Sequence, residues 1–137
     1  MKVETTSDFE RSAKKMHKSL RHLPEDVERL KNVLTVDGFS GCERKYDFRA
    51  LEGMPKTEQY KAYKLHRVPS TDNRGQNGIR ILACGEFCEG KCVELVLVDI
   101  RNDTDHSDQN VKNEIKGTMV RFLNSKISSR PSQTSQT

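Results

Sequence analysis

The chain has 137 residues, of which 33% are apolar and 32% are charged, and its formal net charge is +4. This length suits one domain and is too short for two independent cores. The mild positive charge permits a polyanionic partner without requiring one. No apolar run approaches the roughly 18 residues that span a bilayer, and the first ten residues lack the apolar core of a secretory signal. We therefore expect a cytoplasmic protein with no membrane partner.

Two helices are predicted at the start of the chain. Residues 6–20 have apolar side chains at helical spacing, namely Phe9, Ala13, Met16 and Leu20. The segment 23–26, Leu-Pro-Glu-Asp, is typical of a second helix start, because proline fits the first turn and carboxylates favour the positive end of the helix dipole. Gly38 is expected to end this second helix. The short link between the two helices indicates an antiparallel hairpin.

Four strand candidates follow, at residues 46–51, 59–68, 79–88 and 93–100. Alternation along the second candidate places five side chains on one face, namely Tyr60, Ala62, Lys64, His66 and Val68. Glu89-Gly90 predicts a tight turn between the third and fourth candidates. The fourth candidate is apolar on both faces except at Glu94, as expected of a central strand.

A final helix is predicted over residues 110–124, and the low-complexity segment 128–137 is expected to be disordered. The order of helix, helix, three or four strands and helix is typical of an α+β domain. We therefore predict one domain over residues 1–127. In it, an N-terminal helical hairpin packs on a small antiparallel sheet of three or four strands, with a C-terminal helix.

Three stretches combine positive residues, glycines and apolar strands in a characteristic order. They are segment 63–67 (YKLHR), segment 74–82 (RGQNGIRIL) and segment 94–103 (ELVLVDIRND). Their order and spacing resemble the RelE/ParE superfamily of toxin–antitoxin proteins, especially its HigB-like members. The resemblance covers roughly residues 9–123. In that family, a strand with Lys and Arg, a turn containing Gly and an apolar strand precede the last helix.

The resemblance implies a particular activity. Such a protein is the toxin of a type II toxin–antitoxin pair, an mRNA interferase that cleaves translated mRNA on the ribosome and so inhibits translation. Its partners are mRNA, the ribosome and a cognate antitoxin, and it uses no cofactor. Two alternatives stay open, namely a ParE-like inhibitor of DNA gyrase and a non-catalytic interaction module with the same fold.

The candidate catalytic residues follow from what metal-independent RNA cleavage requires. The ribose 2′-OH must lose a proton, the phosphorane charge must be stabilised, and the departing 5′-oxygen must be protonated. Lys64 and His66 lie two residues apart on one strand, and Arg80 begins the next. We assign His66 as general acid or base, and Lys64 and Arg80 as ligands of the phosphate and the transition state. In the alternative interpretation, Lys64 and His66 are ordinary exposed strand residues.

Four further residues are candidates for RNA binding. Arg101, at the end of the last strand, is a second possible phosphate clamp. Arg74 lies in a polar, glycine-containing connection that can also be a plain loop. His106 precedes the last helix. Lys61 completes the set, although alternation places it with Arg67 on the opposite face, where a surface charge is the simpler interpretation.

The sequence departs from the family pattern at three points. His66 stands where many relatives have Arg, and Asn102 stands where HigB-like relatives often carry Lys. The last helix has no Tyr to match the family's aromatic residue, and His106 is its possible substitute. The missing Tyr and Asn102 favour the non-catalytic alternative.

The four cysteines of the chain are a further candidate site. Cys42, Cys84, Cys88 and Cys92 could in principle form a four-thiolate zinc site. However, the two-residue gaps of a zinc knuckle are missing, and the turn at Glu89-Gly90 separates the faces. We expect small buried or turn-tip thiols, reduced in the cytoplasm, and no metal.

Overall fold

One mixed sheet organises the chain, in a computed structural model that describes residues 1–55, 57–73, 78–102 and 109–128. Its strands within these ranges are β1 (Lys2–Thr5), β2 (Phe48–Ala50), β3 (Tyr60–Val68), β4 (Ile79–Cys88) and β5 (Lys91–Asn102). They lie in the spatial order β1-β5-β4-β3-β2. Strand β1 runs parallel to β5, and every other pair is antiparallel.

The helices are α1 (Ser7–His17), α2 (Leu23–Cys42) and α3 (Gln109–Ser128). Thr6 caps α1, because its Oγ1 accepts a hydrogen bond of 3.0 Å from the backbone N–H of Phe9. Gly38 breaks the helical dihedral angles of α2 with φ 74° and ψ −179°, and the helix then resumes as far as Cys42. Gly38 is thus a kink rather than the end that its position predicts.

Each face of the sheet packs against its own helices. On one face, Leu65, Ile81, Leu95 and Leu97 join side chains of the α1–α2 hairpin, among them Phe9, Leu30 and Leu34. On the other face, Leu82, Cys84, Val96 and Val98 join Ile115, Met119 and Leu123 of α3. The predicted α+β fold, with an N-terminal hairpin and a C-terminal helix, is confirmed.

The sheet differs from the prediction in strand number and direction. Strand β1 has only four residues, Lys-Val-Glu-Thr, and its sequence alone carries too little apolar signal to indicate a strand. It forms because its backbone pairs with β5, with Val3 opposite Leu95. The sheet is therefore mixed and has five strands among the described residues, instead of three or four antiparallel ones.

The alternation in β3 also breaks before the strand ends. The register between β3 and β4 shifts between Leu65 and Val68. Such a bulge adds one residue and turns the following side chains to the other face. Val68 therefore packs with the core under the hairpin, and the prediction that it shares a face with Ala62 and Lys64 is wrong.

Helix α3 extends past both of its predicted ends. The predicted disordered tail lies outside the described residues from position 129 onward. Among the helices of the described ranges, none combines the length and apolar character that crossing a membrane requires.

Candidate nucleic-acid interface

Three predicted site residues come together at one end of the β3–β4 pair. Lys64 lies opposite Leu82 of β4, and two residues further along β3 is His66. The Arg80 guanidinium reaches back to β3, where its Nη1 donates a hydrogen bond of 3.0 Å to the carbonyl oxygen of His66. All three residues are half-buried. The sheet thus brings together the lysine, histidine and arginine that the sequence predicts as a group.

His66 titrates below its ordinary range in this setting. Burial is the main reason that its pKa falls, because a partly desolvated imidazole holds its charge less well. The positive charges of Arg49, Lys64 and Arg80 lower the pKa further, and Asp47 opposes them. The histidine is therefore mostly neutral at physiological pH and able to accept a proton.

Arg49 of β2 is a member of this group that the sequence did not reveal. Its Cα pairs with that of Lys64, so the two residues are neighbours across strands. Its Nε and Nη2 donate to one oxygen of Asp47 at 3.2 Å and 2.8 Å. The sequence indicates only that Arg49 follows the apolar Phe48 in a short strand candidate. It does not indicate that this strand pairs with β3.

Arg101 lies opposite Arg80 in the sheet but is engaged by two carboxylates. Its Nε lies 3.1 Å from Asp99, and its Nη2 lies 2.8 Å from Glu114 of α3. Only 24% of the Arg101 side chain is exposed. Its predicted role as a phosphate clamp would require it to leave these partners.

The other three RNA-binding candidates lie apart from this group or outside the described ranges. The Lys61 ammonium lies 4.9 Å from the centroid of the Phe87 ring. That ring belongs to an aromatic cluster with Phe39 and Tyr63, so Lys61 is separate from the residues around Lys64. Arg74 and His106 fall among the residues that are not described.

The cysteines do not form a metal centre. All four are free thiols, with Cys42 and Cys84 buried, Cys92 half-buried and Cys88 exposed. Burial raises the pKa of Cys84 to about 12 and that of Cys92 to about 11. Within the described ranges, no group of three or more His, Cys, Asp and Glu residues is placed to hold a metal ion.

The group of Arg49, Lys64, His66 and Arg80 combines two chemical abilities. Arginine and lysine bind phosphate, and arginine can hold two phosphate oxygens at once. A neutral histidine among them can take up a proton from a bound hydroxyl. We call these four residues the basic patch.

No protein-family model, curated protein or solved structure matches this chain. The resemblance to the RelE/ParE class rests on the sequence pattern alone. Independently of that resemblance, the basic patch contains side chains that can bind phosphate and accept a proton.

Proposed function

We propose that this chain is a ribosome-dependent mRNA endonuclease, the translation-inhibiting toxin of a type II toxin–antitoxin pair of the RelE/ParE class. The observation that carries the proposal is the meeting of Lys64, His66 and Arg80 at one end of the β3–β4 pair, with Arg80 bonded to the His66 carbonyl. The proposal implies a cytoplasmic protein whose partners are translated mRNA, the ribosome and a neutralising antitoxin.

The proposed reaction assigns one task to each residue. Neutral His66 takes the proton of the ribose 2′-OH, whose oxygen then forms a bond to the adjacent phosphorus. Lys64 and Arg80 stabilise the negative charge of the phosphorane. The bond from phosphorus to the 5′-oxygen breaks, that oxygen takes a proton from water, and the protonated His66 gives its proton back to the solvent. The products are a 2′,3′-cyclic phosphate and a 5′-hydroxyl.

The electrostatics of His66 support its role as base. A general base works best when its pKa lies near the working pH, because its neutral form must be abundant and must also remain basic enough to take the proton. Burial and three neighbouring cations lower the pKa of His66, which favours the neutral imidazole in the unbound protein and also makes it a weaker base. The polyanionic substrate would oppose those cations and bring the pKa back toward the working range.

A non-catalytic interaction module with the same fold is the second candidate, and the state of Arg101 favours it. Asp99 and Glu114 both engage the guanidinium, so one predicted cation is occupied inside the fold. The sequence of α3 also contains no tyrosine. This candidate predicts binding to ribosomes or to an antitoxin, with translated mRNA left intact. A ParE-like gyrase inhibitor, in contrast, would have no use for the titrating histidine.

Induced expression tests the nuclease directly. We expect the wild-type chain to arrest growth and to create new 5′ ends within translated mRNA. The double variant Lys64→Ala/His66→Ala should abolish both effects. Lys14→Ala/His17→Ala is a matched control, because it removes the same residue types from exposed positions on α1.

The outcomes separate the alternatives. Arrest that persists in Lys64→Ala/His66→Ala would reject the assigned site. Arrest with intact mRNA and DNA-damage signalling would favour the gyrase inhibitor. A chain that binds ribosomes but causes neither arrest nor cleavage would establish the non-catalytic module.

A further inference from the structure

Strand β2 brings a cation to the basic patch from the far side of β3. Arg49 lies beside Lys64 in the register between β2 and β3. Its side chain is 61% exposed, so an incoming ligand can reach the guanidinium. Among the charges that act on His66, that of Arg49 has the largest effect. Arg49 is thus close to the proposed reacting centre and open to solvent.

Asp47 holds Arg49 and also touches the backbone of His66. It has φ 51°, a left-handed conformation that is uncommon outside glycine and that aspartate and asparagine tolerate best. Its carboxylate accepts both hydrogen bonds from Arg49, and its carbonyl accepts one of 3.2 Å from the His66 N–H. Hydrogen bonds therefore connect Arg49 to Asp47, Asp47 to the backbone of His66, and that backbone to Arg80.

We propose that Arg49 is a further phosphate ligand of this surface, held by Asp47 in the unbound protein, and that bound RNA extends across the strands from β4 to β2. The inference rests on the proposed function, and it adds a residue and a direction to the site.

The exchange of Asp47 for a phosphate is chemically reasonable. A carboxylate and a phosphate present similar oxygens to the guanidinium fork, so each can replace the other. An exposed ion pair contributes little to stability, and little is therefore lost when Arg49 leaves Asp47. Neighbouring strands lie about 4.8 Å apart. The phosphate-binding residues Arg49 of β2 and Arg80 of β4 therefore lie on the two sides of β3, which carries Lys64.

Binding of a single-stranded oligoribonucleotide with 2′-O-methyl riboses tests the inference, because this probe cannot be cleaved. Fluorescence anisotropy is measured at several salt concentrations. We expect Arg49→Gln to weaken binding about tenfold and to reduce the slope of log affinity against log salt by about 0.7, the loss of one contact to single-stranded phosphate. Arg11→Gln is the matched control, since Arg11 is 66% exposed and paired with Asp8 at 3.0 Å on α1. It should change neither quantity.

Asp47→Asn tests the holding role and keeps a residue that tolerates the left-handed backbone. Asp47→Asn should strengthen RNA binding in the wild-type protein. The same substitution made in the Arg49→Gln variant should give a smaller gain in affinity. Equal gains in both backgrounds would mean that Asp47 acts only by its general charge, and would overturn its holding role.

The remaining outcomes distinguish this inference from the proposed function. If Arg80→Gln weakens binding and Arg49→Gln does not, the role of Arg49 is overturned and the proposed function stands. If Arg49→Gln, Lys64→Gln and Arg80→Gln all bind as the wild type does, the surface does not bind RNA and both proposals fail. Circular dichroism of each variant checks that the fold is retained.

Discussion

The Arg80 guanidinium donates a hydrogen bond of 3.0 Å to the main-chain carbonyl of His66. This bond joins the start of β4 to β3 within the stretch where their register shifts. Because it uses the backbone of His66, it positions Arg80 without engaging the imidazole ring. Arg80 therefore affects the titration of the ring through its charge, in the direction of a lower pKa.

The first prediction concerns the pKa of His66. NMR titration of the imidazole should give a value below 6.5, since burial and then the charges of Arg49, Lys64 and Arg80 disfavour the protonated ring. Arg49→Gln should raise this pKa, and Arg11→Gln should not. Addition of the uncleavable RNA should raise it too, because phosphates oppose the cations. A value above 6.5 in the free protein would contradict the electrostatic account.

The same pKa has a consequence for stability. The folded protein disfavours protonation of His66, whereas the unfolded chain binds a proton near the ordinary histidine value. The contribution of His66 to the free energy of unfolding is therefore fully present above about pH 6.5. It falls as the pH drops through the folded pKa. Urea unfolding at several pH values tests this. The free energy of unfolding of His66→Gln should fall less between neutral and acid pH than that of the wild type.

His22 is predicted to have the opposite pH dependence. Its Nδ1 lies 2.9 Å from Asp72, and its backbone N–H donates to the same carboxylate. The hydrogen bond to Asp72 and then the charge of Asp72 raise the pKa of His22. The stabilisation is fully present below the unfolded pKa and is lost as the pH rises through the folded one.

Asp72→Asn tests that pair. The variant should be less stable than the wild type at about pH 5.5, and the difference should shrink as the pH rises through the folded pKa of His22. A difference that does not change with pH would show that only the backbone hydrogen bond matters.

Asp99 is predicted to be far more costly to remove than an exposed carboxylate. It is 1% exposed and accepts hydrogen bonds from Ser12 Oγ at 2.8 Å, from the Ile100 N–H at 2.9 Å and from Arg101 Nε at 3.1 Å. Asp99→Ala leaves these donors unpaired and should lower the free energy of unfolding by about 3 kcal/mol. Asp8→Ala, which breaks the exposed pair with Arg11, should cost less than about 1 kcal/mol. Equal losses in urea unfolding would contradict this ranking.

Thiol alkylation should distinguish the cysteines. Cys88 is exposed and should react first in the native protein at neutral pH. Cys92 should react slowly, because its pKa of about 11 leaves little thiolate. Cys42 and Cys84 are buried and should react only on unfolding. Mass spectrometry after timed labelling gives the order, and early modification of Cys84 would contradict the packing under α3.

Local sequence signals predicted most of the fold. The turn at Glu89-Gly90 was confirmed, and both residues have positive φ, 53° and 80°, as a tight hairpin turn between twisted strands requires. Strand β4 was predicted with its observed bounds, since its apolar residues and the turn mark both ends. The grouping of Lys64 with Arg80 also followed from local order, because consecutive antiparallel strands lie side by side.

Contacts between distant parts of the chain could not be predicted in this way. Strand β1 forms only because β5, more than 90 residues later, offers its edge. The pairing of Arg49 with Lys64 depends on the register of β2, which its three residues do not encode by themselves. The engagement of Arg101 by Glu114 depends on how α3 packs on the sheet.

The most direct measurement of the proposed activity uses purified protein, ribosomes and a defined mRNA during translation. We expect cleavage within the translated region, with a 5′-hydroxyl on one fragment and a 2′,3′-cyclic phosphate on the other. His66→Gln should slow cleavage by about 100-fold or more, the usual effect of losing a general base. Intact mRNA with the wild-type protein, or cleavage at the same rate with His66→Gln, would contradict the account.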